Sequence, residues 1–114
     1  MEKVAHLTAI PPKSLRTRGF RLVLLDLDDV ILPREGKEIP SEILHWIQKS
    51  KEAGLELHIL SNSKFPRRVR KVCELLGISG WSWTMKPLPI AYRRVMKKFG
   101  VKQSDTVMLG DQLF

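Results

Sequence analysis

The feature that most restricts the fold is an apolar run that changes abruptly into carboxylates. Leu22 to Leu25 are consecutive apolar residues, and Asp26, Asp28 and Asp29 follow at once. Such a run is typical of a strand that is buried on both faces of a parallel sheet. Clustered carboxylates raise one another's pKa unless a cation or hydrogen-bond donors lie nearby. The pattern therefore predicts a buried strand whose carboxyl end meets a divalent metal and a phosphate.

The rest of the chain alternates between predicted strands and predicted helices. Strands are predicted over residues 21–26, 55–60, 81–85 and 106–109, and helices over 42–53, 66–76 and 89–99. Each helical segment has apolar residues at helical spacing, and a glycine follows its end. This alternation with short links indicates an α/β domain with a mostly parallel, doubly wound, Rossmann-like sheet. We place this domain at residues 19–114 and a packed lead-in at residues 1–18.

The charge of the chain restricts its partners without selecting one. The formal net charge is +8, which favours phosphorylated metabolites, anionic lipid surfaces or nucleic acid. Nucleic acid is disfavoured because no recognised binding motif accompanies the charge. The basic residues are the solvated faces of two helices or a surface for anionic lipid. They are Lys64, Arg67, Arg68, Arg70 and Lys71, and then Arg93, Arg94, Lys97 and Lys98.

Composition also bears on location. The single cysteine, Cys73, cannot form an internal disulfide, which fits a reducing cytoplasm. No apolar stretch approaches the ~20 residues of a membrane-spanning helix. We therefore expect a cytoplasmic protein that makes peripheral contact with a membrane.

Four polar residues stand at or shortly past the ends of the four predicted strands: Asp26, Ser61, Lys86 and Asp111. In open α/β sheets, ligands bind beyond the carboxyl ends of the strands. Singly, each residue is ordinary, since serine commonly caps a helix and lysine before proline is usually a loop residue. Together they predict one crevice for phosphate and metal chemistry.

The motifs at these positions carry a resemblance to a known family. They read Asp26-Leu27-Asp28-Asp29-Val30, Leu60-Ser61-Asn62-Ser63, Lys86-Pro87 and Leu109-Gly110-Asp111-Gln112-Leu113. From about Gly19 onward, the chain resembles the haloacid dehalogenase (HAD) superfamily of aspartate-nucleophile phosphohydrolases. The second, third and fourth motifs are similar to those of the YqeG branch of subfamily IIIA, which is related to phosphatidylglycerophosphate phosphatases.

The resemblance implies catalytic roles for three residues. Asp26 would be the nucleophile that forms an aspartyl-phosphate. Asp28 would act as general acid towards the leaving alcohol and then as general base for water. Lys86 would neutralise the charge that builds on Asp26 and on the transferring phosphoryl group. The implied activity is phosphomonoester hydrolysis.

The resemblance also implies binding roles and a cofactor. Ser61 and Asn62 would bind the phosphoryl oxygens. Mg²⁺ would be held by Asp26, Asp28 and Asp111, an oxygen-only set that suits this ion. The connection over residues 30–40 is too short for a cap domain, so the crevice would be open. An open crevice favours a large or membrane-borne substrate, such as a phosphatidylglycerophosphate-like lipid.

Two departures from the family pattern support an alternative. Asp29 stands where the family commonly has asparagine, and we assign it no role. The family usually continues past Gly110-Asp111 with another aspartate, a strand and a helix, whereas this chain ends at Phe114. We therefore expect a truncated domain with an exposed sheet edge or apolar face, and hence reduced solubility or dimerisation. The alternative function is a catalytically impaired module that binds anionic lipid or a protein partner.

Overall fold

The computed structural model of the chain describes residues 2–4, 10–27, 41–61, 66–82 and 88–109. The strands are β1 (Glu2–Val4), β2 (Leu22–Leu27), β3 (Glu56–Ser61), β4 (Ser79–Ser82) and β5 (Thr106–Leu109). The helices are α1 (Pro12–Thr17), α2 (Ser41–Glu52), α3 (Pro66–Leu76) and α4 (Leu88–Phe99), and a 3₁₀ turn at Gln103–Asp105 precedes β5.

The strands form one sheet in the order β1-β5-β2-β3-β4. Every neighbouring pair is parallel. β2 is the central strand, and its first four residues are almost completely buried. The predicted α/β class with a parallel sheet is confirmed, and the apolar run before Asp26 is explained by burial on both faces of β2.

Helices cover both faces of the sheet, which confirms the doubly wound arrangement. Successive residues of β2 point to opposite faces, so Leu22 and Leu24 belong to one core cluster and Val23 and Leu25 to the other. α1, α2 and α3 bury their apolar residues with Val23 and Leu25. α4 packs on the opposite face, where Val95 is fully buried.

The first 18 residues contain more structure than the sequence predicted. β1 pairs with β5, so the sheet edge that we expected to be exposed carries a parallel strand. α1 buries Leu15 in the core. The Trp46 Nε1–H on α2 donates a hydrogen bond of 2.7 Å to the Ile10 carbonyl, which joins the segment before α1 to α2. The sequence signal for α1 was a proline at its first turn and Gly19 after its end.

β4 begins two positions earlier than predicted, and it includes Gly80, a residue type that strands disfavour. A Cβ at Gly80 would lie 2.5 Å from Cys73 Sγ and 2.8 Å from Ile59 Cβ. The glycine therefore lets α3 approach the strand closely. Residues 83–85 lie outside the described residues, as does the connection at 28–40 where we expected a minimal cap. Within the described residues, no helix is both long enough and apolar enough to cross a membrane.

Candidate active site

The carboxyl ends of four strands lie side by side. Leu109, the last residue of β5, pairs with Leu25 on β2. On the other side of β2, Leu27 pairs with Ser61, the last residue of β3. Ser61 in turn pairs with Ser82, the last residue of β4. The strand ends that lead into all four predicted motifs therefore lie along one edge of the sheet.

Asp26 lies on the central strand at this edge. It is the penultimate residue of β2, and its Cα pairs with that of Leu60 on β3. The strand therefore extends one residue beyond the predicted Asp26 boundary. The Asp26 side chain lies outside the description. The backbone of Asp26 lies at the carboxyl edge of the sheet, where ligands bind in open α/β folds.

Ser61 provides the sharpest observation at this edge. Its side chain is fully buried, and its Oγ has no hydrogen-bond partner in the described part of the chain. Leaving a buried hydroxyl without a partner costs roughly 1–3 kcal/mol. Such groups in a native structure commonly mark a place for a ligand, water or ion. The chemistry of this site thus agrees with the predicted phosphate-binding role.

The other predicted site residues lie outside the described residues: Asp28, Asn62, Lys86 and Asp111. The structure defines only the strand ends that precede them. Asn62 directly follows β3, and Asp111 follows β5 after Gly110. Asp29 is also outside the description. Among the described residues, no three histidine, cysteine or acidic side chains cluster in a way that could hold a metal.

One residue at this edge was missed from the sequence. Ser82 ends β4, and its Cα pairs with that of Ser61. It is partly exposed, and its side chain or backbone already has an interaction partner. The signal was available, since a serine ends both strands, but the incorrect boundary of β4 concealed it.

His58 is a buried residue of β3 whose two ring nitrogens have different surroundings. Its Nδ1 lies 2.8 Å from Ser79 Oγ, but its buried Nε2 has no partner among the described residues. Its ring makes edge contacts with Trp81 and Phe99, at centroid distances of 4.7 and 5.7 Å. Burial, with a smaller effect of the nearby Lys98 charge, lowers the pKa of His58 to about 4. His58 lies three residues before the carboxyl edge and on the opposite face from Ser61, so we assign it no chemical role.

Cys73 also lacks the surroundings of a nucleophile. It is half-buried on α3 against Gly80. Burial raises the pKa of its thiol, with the nearby Glu74 charge adding to the effect, although a backbone hydrogen bond opposes it. The thiol is therefore protonated at neutral pH and fills space in the core.

The comparisons with known proteins agree with this geometry. Over 112 residues, the chain is 30% identical to "Probable phosphatase YqeG" of Bacillus subtilis (strain 168), covering 98% of this chain and 64% of that protein. A solved structure of a "putative 3-deoxy-D-manno-octulosonate 8-phosphate phosphatase" from Vibrio cholerae matches with a TM-score of 0.67 and 20% identity, over 90% of this chain and 61% of that one. The second likeness shows the fold. The chain thus spans somewhat less than two thirds of the length of each relative. The model of the haloacid dehalogenase-like hydrolases matches residues 6–114, and the chain belongs to that family.

Proposed function

We propose that this chain is a Mg²⁺-dependent phosphomonoester hydrolase that acts through an aspartyl-phosphate on Asp26. The observation that carries the proposal is the buried Ser61 Oγ, which has no partner within the described residues and lies where β2 and β3 end together. A phosphoryl oxygen would accept the hydrogen bond for which this hydroxyl has no acceptor among the described residues. Membership of a hydrolase family and the phosphatase name of the Bacillus subtilis relative support the same conclusion.

The proposed reaction has two displacement steps at phosphorus. In the first, a carboxylate oxygen of Asp26 bonds to phosphorus, the ester P–O bond breaks, and Asp28 donates a proton to the leaving alcohol. In the second, water attacks the same phosphorus and Asp28 accepts its proton. The bond between Asp26 and phosphorus then breaks, which releases inorganic phosphate and restores both carboxyl groups.

Three further residues would bind and stabilise the phosphoryl group. The Ser61 hydroxyl and the backbone N–H of Asn62 would donate hydrogen bonds to its oxygens. The start of α3, a few residues beyond, would add the positive end of a helix dipole. Lys86 would offset the negative charge that grows in the transition state.

The residues available at this edge fit Mg²⁺. The candidate ligands are oxygen atoms of Asp26, Asp28 and Asp111, and hard oxygen ligands are those that this ion prefers. β2 and β5 are neighbours whose paired residues Leu25 and Leu109 stand one residue before Asp26 and two residues before Asp111. When bound, the ion would reduce the repulsion between the Asp26 carboxylate and the phosphate dianion.

Asp26→Asn tests the proposed nucleophile. The amide cannot form the aspartyl-phosphate, so hydrolysis of p-nitrophenyl phosphate with Mg²⁺ should fall by at least about 10³-fold in kcat. Asp29→Asn is the matched control, because it removes a neighbouring charge that has no assigned role, and it should retain most of the activity.

Full activity in Asp26→Asn would overturn the proposed mechanism. Equal losses in the Asp26→Asn and Asp29→Asn variants would show that the acidic cluster acts only through its charge. A wild-type chain that binds anionic lipid but hydrolyses nothing would support the alternative of a module without catalysis.

We propose that the substrate is a lipid phosphate reached from the membrane surface. The two basic helices lie on opposite faces of the sheet, so a flat membrane cannot contact both faces at once. Because α3 and α4 each join parallel strands, both helices begin at the carboxyl edge. Exposed Arg67 and Ile90 lie in their first turns, beside the candidate site. A membrane that met this edge would present a headgroup phosphate to Ser61.

Charge reversal at the two ends of the sheet tests this orientation. Arg67→Glu should weaken binding to phosphatidylglycerol vesicles by about fivefold or more, because a cation near an anionic bilayer contributes roughly 1 kcal/mol. Lys102→Glu makes the same change before the amino end of β5 and should have little effect. Cosedimentation with vesicles measures both. Equal effects of the two variants, or equal binding to phosphatidylcholine, would contradict the proposed orientation.

A further inference from the structure

We infer that two copies of this chain associate in an antiparallel pair along the outer edge of β4. β4 is the last strand of the sheet, so no described strand covers that edge. A groove of about 720 Å³ follows the edge between β4 and α3. A strand edge beside an open groove is a surface on which another strand can add by main-chain hydrogen bonds.

The shape of this groove is fixed by contacts in the core. Cys73 lies so close to Gly80 that no Cβ fits there, which holds α3 against β4. Val69 and Val72 of the same helix are buried in the main core. The helix therefore cannot move away without breaking core packing, and a partner would meet a preformed surface.

The two charged side chains that line the groove have opposite signs. Arg70 and Glu74 are one helical turn apart on the groove side of α3, and both are exposed. Within the described part of the chain, neither forms an ion pair. β3 and β4 are parallel, so the helix that joins them runs in the opposite direction. Arg70 therefore lies towards the carboxyl end of β4 and Glu74 towards its amino end.

This charge order selects a second copy in one orientation. In an antiparallel pair, Arg70 of each copy faces the partner's Glu74, so the groove is complementary to itself. A parallel pair along this edge would place the two α3 helices on opposite faces of the joined sheet, so Arg70 of one copy could not meet Glu74 of the other. A two-fold arrangement also closes after two copies, whereas a head-to-tail contact on the same edge would not. The pair would join two sheets and place the two α3 helices side by side.

Charge reversals test the pairing directly. Arg70→Glu places two carboxylates opposite each other at both ends of the interface, and Glu74→Arg places two cations there. Each variant alone should raise the dimer dissociation constant by about 30-fold or more, since attraction becomes repulsion twice. Sedimentation velocity measures the change, and circular dichroism checks that each variant is folded.

The decisive measurement combines the two variants. An equimolar mixture of Arg70→Glu and Glu74→Arg should form heterodimers, because every facing pair is then of opposite sign. The double variant that carries both changes should dimerise like the wild type. Lys49→Glu, an equal change of charge on an exposed residue of α2, should leave the dissociation constant unchanged.

The inference is overturned by several results. One is a wild type that stays monomeric at the highest soluble concentration. Another is a dimer that neither single variant weakens, and a third is a mixture of the two variants that does not associate. A monomer whose groove instead binds a peptide from another protein would also overturn it, since the groove would then serve a different partner.

Discussion

Two buried polar side chains on β3 lie in contrasting surroundings. His58 and Ser61 both have no exposed surface, and each has one side-chain atom without a hydrogen-bond partner in the described part of the chain. His58 lies within the strand, between aromatic rings, where a ligand has no access. Ser61 ends the strand at the edge where the motifs converge. The same deficit therefore costs stability at both positions, but only at Ser61 does it also provide a group that a ligand could bind.

The largest expected effect concerns His58 and pH. Its pKa is about 4 in the folded chain, against 6.5 for an ordinary histidine, so the unfolded chain binds a proton first as the pH falls. The free energy of unfolding therefore falls as the pH drops below about 6.5, and this fall levels off below about pH 4. Between pH 7 and pH 4, wild type should lose about 3 kcal/mol of unfolding free energy relative to His58→Leu.

Urea unfolding at several pH values measures this difference. His45→Leu is the control, because His45 is exposed on α2, and it should follow the wild-type profile. Parallel pH profiles for wild type and His58→Leu would show that His58 is not the source of the loss of unfolding free energy in acid. The claim that the buried His58 side chain costs stability would then be contradicted.

A smaller effect of the same sign is expected at Ser61, where removing the polar group should also stabilise the fold. Ser61→Ala removes a buried hydroxyl that has no partner within the described residues, so without ligand the free energy of unfolding should rise by about 1 kcal/mol. Inorganic phosphate should stabilise the wild type and stabilise the variant less, since the donor is lost. Thermal unfolding with and without phosphate separates these effects.

Ser82→Ala is the matched control for this experiment. Ser82 pairs in register with Ser61 but already has an interaction partner, so its removal should not raise stability. If Ser61→Ala were destabilised in the absence of ligand, the hydroxyl would have a structural role. The contrast with His58 would then be lost.

The helices and strands that depend on a local pattern of residues could be predicted from the sequence. α3 has the predicted bounds, because a proline, a helical apolar stripe and a following glycine all act within one segment. β2 followed from its apolar run. β1 and the start of β4 could not be predicted, because a three-residue strand and a glycine in close contact with a distant cysteine depend on tertiary packing.

The candidate site, too, could be predicted from the sequence only in part. The order of motifs after strands was enough to predict that Asp26 and Ser61 share an edge, since parallel strands end on the same side. Whether Ser61 Oγ has a partner could not be predicted, because it depends on every group that packs around it. The structure shows that Ser61 Oγ has no hydrogen-bond partner among the described residues, and this observation is the strongest argument for phosphate binding.

The pairing of β1 with β5 has a practical consequence for work with this protein. The two strands are parallel, with Glu2 beside Val107 and Val4 beside Leu109. The chain therefore enters the sheet at its amino edge, and the segment after β5 leaves at the carboxyl edge. An affinity tag ahead of Met1 would extend from the end opposite the candidate site. Any sequence added after β5 would instead follow from the edge of the sheet that carries the candidate site.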